Sequence, residues 1–249
     1  MAQVAVPTTD IDATSDPISE HSQWKGLLMV GVWSAVASVV LIVIQMAVYV
    51  AWPPPETTVE FFELLIANPA RGMLALDAMY IVSNLLAFLL YFALAVVLWK
   101  VSRSGVVVAL AFGVLGMAAY MASPRPVEML ALADSYGRAG PAEQVALVAV
   151  GDGMLATWMG TAFDIYYFFN LATLLIFAIL MLRSTVFSRA TALWGLAAAV
   201  LMAVPSNFGT VGLVFALASL LPWAVFAILV ARRLFRLSAR SAGFGGGAA

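Results

Sequence analysis

The chain has 249 residues, of which 64% are hydrophobic and 10% are charged, and its net charge is −1. About half of the residues in a soluble domain are apolar and about a quarter are charged, so this composition excludes an ordinary soluble fold, and the near-neutral charge argues against a nucleic-acid partner. The chain has no cysteine and one histidine, His21, which excludes disulfide scaffolds, thiolate metal sites and bis-histidine haem, and we expect no cofactor.

The order of polar and apolar segments predicts an all-α, polytopic membrane helix bundle. Residues 1–23 are polar and acidic, which predicts a disordered tail. Six apolar segments follow, and each is predicted to cross the lipid bilayer because about 20 apolar residues span it as a helix. These segments cover residues 27–52, 72–99, 105–123, 160–182, 190–204 and 211–235. Residues 24–237 therefore predict one domain of six transmembrane helices, and the Gly/Ala-rich residues 238–249 predict a flexible tail.

Basic residues predict the orientation of these helices. Lysine and arginine precede the first segment, separate the second from the third and the fourth from the fifth, and follow the sixth. The remaining loops are mainly acidic. Because short loops rich in lysine and arginine stay in the cytoplasm, we expect both termini inside. The residues behind this expectation are Lys25, Lys100, Arg103, Arg183, Arg189, Arg232, Arg233, Arg236 and Arg240.

Two segments on the opposite side predict short helices at the outer interface. Thr57 and Glu60 have the spacing of a capping box, so we expect a helix that starts there and ends before Pro69. Residues 124–159 predict two further pieces, one over 127–136 that ends at Gly137 and one over 141–159 that is interrupted at residues 151–153. The second piece is expected to lie on or dip into the surface, because a seventh crossing would place the C-terminal arginines outside.

Short motifs from Arg125 onward resemble a bacterial family of membrane proteins, the domain-of-unknown-function 4386 family. The resemblance covers residues 72–235 and implies a six-helix bundle in the bacterial inner membrane. It implies no activity, ligand or site residue. The matching features are Arg125 to Glu128, the pair Gly160-Thr161, and the turn from Leu182 to Arg189 followed by Gly195.

Polar side chains within the apolar segments need partners or water. Asp77, Tyr80 and Asn84 are spaced i, i+3 and i+7, so they share one face of the second predicted helix. Asp164 falls at a similar depth on the fourth predicted helix, with Asn170 deeper. Arg125 and Glu128 have ion-pair spacing after the third, and we expect Arg125 to form a salt bridge with Asp77 or Asp164.

Two interpretations of these groups remain open. They hold the helices together, in a structural or accessory subunit of a larger membrane complex or a homo-oligomer, or they line an outward-facing pocket that binds or passes a small polar or ionic ligand. The leading interpretation is a non-enzymatic integral membrane protein with such a pocket, and no catalytic or metal-ligating residue is assigned. An intramembrane hydrolase is a more distant alternative, since Gly151-Asp152 matches only part of an aspartyl-protease motif. The candidate ligand-binding residues are Asp77, Tyr80, Asn84, Arg125, Glu128, Asp164 and Asn170.

Overall fold

The computed structural model describes residues 23–243, with side chains up to Ala239, and this part of the chain is helical without a strand. The tail predicted over residues 1–23 lies outside the described residues except for Gln23. The tail predicted from residue 238 is helical as far as Gly243, and its remainder lies outside them. The helices are α1 (Lys25–Ala51), α2 (Thr58–Ala67), α3 (Pro69–Ala75), α4 (Ala78–Leu98), α5 (Arg103–Met121), α6 (Pro126–Arg138), α7 (Pro141–Trp158), α8 (Thr161–Arg183), α9 (Arg189–Leu201) and α10 (Gly209–Gly243).

Length and composition identify the segments that can cross a membrane. Between residues 23 and 243, five helical segments are long and apolar enough to do so, and α9, with 13 residues, is apolar but shorter. The chain is therefore an integral membrane protein whose described residues form a helical bundle, and a count of six crossings stays a prediction. The five segments are Lys25–Ala51, Ala78–Leu98, Arg103–Arg138, Pro141–Arg183 and Gly209–Ala239.

Six helices form a closed ring in the order α1, α4, α5, α8, α9 and α10, with α10 returning to α1. Helices α4 and α8 also contact each other across its centre. All six contribute apolar side chains to one buried core, which includes Leu94, Phe177 and Phe226. The short helix α9 contributes Ala198 and Ala199 to this core, so it is a full member of the bundle.

The four remaining helices pack together at one end of the ring, in a layer that we call the cap (α2, α3, α6 and α7). The cap has its own apolar core, built around Phe62, Leu65 and Met129. The predicted capping box is confirmed, because the Thr57 side chain accepts from the Glu60 amide while the Glu60 carboxylate accepts from the Thr57 amide. The segments predicted as separate short helices therefore form one structural unit.

Two predictions about helices in the cap are wrong, namely the helix end at Gly137 and the interruption at residues 151–153. Helix α6 continues through Gly137, and α7 runs without interruption across residues 151–153. Gly151 is buried where α7 meets α2: a Cβ atom there would lie 2.4 Å from Thr58 Cγ2 and 2.8 Å from Phe62 Cζ. The glycine thus permits a close approach of two helices, whereas Gly153 has open space around its Cα atom. The glycines at 151 and 153 predict a helix break, but the packing of α7 against α2 is compatible with a continuous helix.

Gly151→Ala should destabilise the cap while Gly153→Ala should not. The new methyl group at residue 151 would overlap Thr58 and Phe62, and overpacking of this kind costs about 1–3 kcal/mol. At residue 153 alanine meets no neighbour and favours the helix by up to about 1 kcal/mol. Thermal unfolding of both variants in detergent measures the difference. Equal melting temperatures for the two variants would contradict the tight contact between α7 and α2.

Candidate functional site

The helix predicted over residues 72–99 is broken where the cap meets the ring. Helix α3 ends at Ala75, Asp77 adopts a positive φ of 64°, and α4 begins at Ala78. A left-handed backbone is uncommon for residues other than glycine, but aspartate adopts it more readily than most. The break places Asp77 just outside the spanning helix, at its N-terminal end, where the helix dipole favours a negative charge.

Three neutral donors from three helices reach the carboxyl group of Asp77. The Tyr49 hydroxyl donates to Oδ1 at 2.8 Å, and the Trp158 indole Nε1 donates to Oδ2 at 3.0 Å. The Tyr120 hydroxyl donates to Oδ2 at 3.4 Å. Gln45 Nε2 in turn donates to the Tyr49 hydroxyl at 3.1 Å. The carboxyl group therefore binds α1, α5 and α7 together at one point.

No cation accompanies this carboxyl group among the described residues. Asp77 is half-buried, and burial raises the pKa of its carboxyl because desolvation of the charged form outweighs the three hydrogen bonds that stabilise it. A carboxyl in this environment either keeps its proton or takes a cation from outside the protein.

A cavity of about 480 Å³ lies beside Asp77, between α1, α4, α8 and α10. Most of the residues that line this cavity are apolar or aromatic. Among the described residues that line it, Asp77 alone has a charged side chain. A volume of this size accommodates a small organic molecule. The walls combine aliphatic, thioether and aromatic groups, among them Ile42, Met46, Tyr80, Trp158, Phe163, Tyr167, Met202, Leu213 and Leu217.

Deeper in the bundle, two hydrogen bonds connect α4 with α8. The Tyr166 hydroxyl donates to Asn84 Oδ1, and the Tyr91 hydroxyl donates to Asn170 Oδ1 at 2.9 Å. Asn84 and Asn170 line a void of only about 50 Å³ that continues from the cavity. These side chains bond to each other and connect α4 with α8.

The expected salt bridge of Arg125 with Asp77 or Asp164 does not form. Arg125 is exposed and precedes α6, which begins at Pro126, so its i, i+3 spacing to Glu128 does not fall on a helix. Glu128 is exposed as well. A helical ion-pair spacing has its usual meaning only when both residues belong to the helix.

Asp164 lies outside the cavity that Asp77 lines. Its Oδ1 accepts from Asn207 Nδ2 at 2.8 Å, and the same amide donates to the carbonyl of Met159 at 2.8 Å. Of the predicted site, Asp77 and Tyr80 therefore line the cavity and the two asparagines line the void beneath it. The other three residues are elsewhere on the molecule.

The partners of Asp77 were missed because they lie on other helices, 28, 43 and 81 residues away in the chain. One signal was present, since Gln45 and Tyr49 are spaced i, i+4 on an otherwise apolar first helix. Trp158 provided a weaker signal, because it is the last residue before the break between α7 and α8.

No protein-family model, curated protein or solved structure matches the chain. The resemblance to the domain-of-unknown-function 4386 family stays a prediction. The geometry of the cavity is the basis on which its function is proposed.

The melting temperature of the protein should fall as pH rises from about 4 towards 8. A carboxyl whose pKa is higher in the folded than in the unfolded chain binds its proton more tightly when folded. The free energy of unfolding is then largest below the unfolded pKa and decreases as pH rises through the folded pKa. Asp77→Asn should remove this slope, which a melting series in detergent measures.

Asp164→Asn is the matched control and should keep the slope. The groups that face Asp77 from the surrounding helices are the tyrosines at 49, 80, 120 and 167 and the indole of Trp158. Tyrosine titrates near pH 10 and indole does not titrate, so none of them accounts for a slope between pH 4 and 8. Parallel curves for the wild type and Asp77→Asn would show that another group is responsible.

Proposed function

We propose that the chain is a non-enzymatic membrane protein whose Asp77 cavity binds a small organic cation with an apolar body. The observation that carries this proposal is a single carboxyl group in apolar and aromatic walls, contacted only by neutral donors. An ammonium group would provide the charge that the surrounding residues do not. The apolar body of the ligand would occupy the rest of the cavity.

An organic cation suits these walls better than a metal ion. Calcium and magnesium ions need about six oxygen ligands, and no group of three or more acidic or histidine residues that could hold a metal occurs among the described residues. The aromatic rings of Trp158, Phe163 and Tyr167 line the cavity instead. The face of an aromatic ring attracts an organic cation, most strongly away from water.

Asp77 keeps a free acceptor position for such a ligand. Its Oδ2 receives two of the hydrogen bonds, whereas Oδ1 receives one, from Tyr49. Because a carboxylate oxygen has two lone pairs, Oδ1 can accept a further bond from an ammonium group. The ligand would replace the proton of Asp77, so we expect weaker binding at acidic pH.

One observation favours the alternative role of a structural or accessory subunit. The bonds from Tyr166 to Asn84 and from Tyr91 to Asn170 lie between helices and need no ligand. Such contacts contribute about 0.6–2 kcal/mol each to helix association in a membrane. This role leaves the cavity without a ligand, so a binding measurement separates the two functions.

Tetraphenylphosphonium should bind the detergent-solubilised protein, and tetraphenylborate should not. The two ions match in size and shape but differ in the sign of their charge, so their comparison isolates the effect of charge from that of apolar contact. Asp77→Asn should weaken tetraphenylphosphonium binding about tenfold or more, because the Coulomb attraction between the carboxylate and the cation is lost. Equilibrium dialysis at pH 8 and pH 5 measures both affinities, and binding should be weaker at pH 5.

Asp164→Asn serves as the control, because it removes a half-buried carboxylate outside the cavity. This variant should bind tetraphenylphosphonium with the same affinity as the wild type. Equal affinity for the two ions, or unchanged binding by Asp77→Asn, would overturn the proposal in favour of the structural role.

The proposed orientation places the cap outside and the opposite end of the ring in the cytoplasm of a bacterial cell. Contacts support a common location for the basic residues. Trp24 before α1 and Lys100 after α4 line one groove, and the Ser238 hydroxyl of α10 donates to Met29 Sδ of α1. The arginines of α10 adjoin the turn between α8 and α9. Both termini then follow the positive-inside rule.

Single cysteines test this orientation and the six crossings, because the chain has none of its own. In intact bacterial cells, an impermeant thiol reagent should label Ala142→Cys in the cap but not Ala190→Cys at the start of α9. Ala203→Cys follows α9 and should be labelled if this short helix crosses the membrane. All three positions are exposed. Labelling of residue 190 in intact cells would reverse the orientation, and protection of residue 203 would limit the crossings to five.

A further inference from the structure

We propose that the end of the bundle opposite the cap contains a second site, which binds a phosphate group. The site lies between α10 and the turn that connects α8 with α9. It is distinct from the Asp77 cavity and does not depend on the function proposed for that cavity.

A cavity of about 430 Å³ separates the two elements. Three arginines of α10 line one wall, and Arg232 and Arg236 are spaced i, i+4 on the helix. Like charges at this spacing repel each other, and no acidic residue lines the cavity among the described residues. The repulsion is relieved when an anion lies between them. The opposite wall consists of Thr185, Val186, Phe187, Ser188 and Thr191.

Arg233 gives the most specific indication of a ligand. Its Nε atom is buried and has no hydrogen-bond partner in the described part of the chain. Buried donors in proteins are almost always paired, so an unpaired guanidinium nitrogen beside a cavity needs an acceptor from outside the protein. A phosphate oxygen provides one, and the planar guanidinium group matches phosphate geometry.

The turn on the opposite wall adds neutral donors and a favourable dipole. The Ser188 side chain caps α9 by accepting from the Thr191 amide, and the hydroxyls of Ser188 and Thr191 lie 2.9 Å apart. Helix α9 has 13 residues, and its N-terminal end favours a negative charge. Arginines, hydroxyls and a helix N-terminus therefore surround the same cavity.

Arginines that follow a spanning helix are ordinarily a solvated basic surface that fixes orientation. The cavity between α10 and the turn, together with the buried and unpaired Nε of Arg233, distinguishes this cluster from such a surface. Basic pockets between helices on the cytoplasmic side of a membrane bind the phosphates of anionic lipids. A lipid headgroup and a free phosphate ion share the chemistry that the site recognises, so the experiment has to separate these sources.

The full-length protein in neutral detergent is titrated with two pairs of probes. Phosphatidylglycerol is compared with phosphatidylcholine, and inorganic phosphate is compared with chloride at equal ionic strength. Thermal stability and native mass spectrometry report binding. We expect phosphatidylglycerol or inorganic phosphate to stabilise the wild type, while phosphatidylcholine and chloride have no effect.

Arg233→Gln should weaken binding about tenfold, because a charge-assisted hydrogen bond is lost. Arg236→Gln should have a similar effect, and since residue 236 is exposed, this variant tests the site even if Arg233→Gln does not fold. Arg103→Gln is the control: it removes an exposed arginine that does not line the cavity and should leave the affinity within about twofold of the wild type.

Stabilisation by phosphatidylglycerol alone would identify the source as a lipid headgroup, and stabilisation by inorganic phosphate would identify it as the free ion. Either result, with selective loss in the two α10 variants, supports the site. Equal loss in Arg103→Gln, or no response to either phosphate compound, would overturn it in favour of a diffuse basic surface.

Discussion

Asp77 joins the cap to the ring, because its carboxyl group accepts one hydrogen bond from the cap and two from the ring. Lipid provides no hydrophobic force between helices, so polar contacts and close packing must fix their arrangement. The donors come from α1, α5 and α7, and the acceptor lies at the point where α3 gives way to α4. Loss of this one acceptor would leave donors on three separate helices without a partner. The position of the cavity follows from the same anchor, because Asp77 forms part of its wall.

The two candidate cavities lie toward opposite ends of the bundle, and a cluster of aromatic rings lies between them. Beneath the small void, aromatic rings close the space between α4, α8 and α10: Tyr91 contacts Phe177 and Trp223, and Trp223 contacts Phe226. The acidic cavity beside the cap therefore ends within the bundle in this conformation.

The features that sequence predicted well are those set by local interactions. The capping box at Thr57 depends on residues three apart, and apolar length located most of the ring helices within a few residues. The break at Asp77 was not predictable in this way, because the apolar pattern continues without interruption from 72 to 99. The carboxyl group of Asp77 accepts hydrogen bonds from residues in distant parts of the chain, such as Tyr49 and Trp158. Tertiary contacts of this kind leave no local signal.

The difference between local interactions and tertiary contacts also explains which residues of the candidate site could be predicted. Asp77 was predicted because a carboxyl in an apolar segment is costly, and this argument needs no partner to be known. The prediction for Arg125 was wrong because it assumed that the arginine faces the two aspartates, whereas its side chain is exposed at the start of α6. Gly151 was misinterpreted for a related reason: a glycine that breaks a helix and one that admits a neighbouring helix are identical in sequence.

The short helix α9 has a consequence for the lipid around it. Its 13 residues extend about 20 Å, whereas the hydrocarbon core of a bilayer is about 30 Å thick. If α9 crosses as proposed, the membrane must thin beside it or polar groups must extend to reach its ends. Met202 and Ser206 follow α9 and line the Asp77 cavity, so the thinned region adjoins the cavity. Bilayer thickness would then affect how closely water and lipid headgroups approach the cavity.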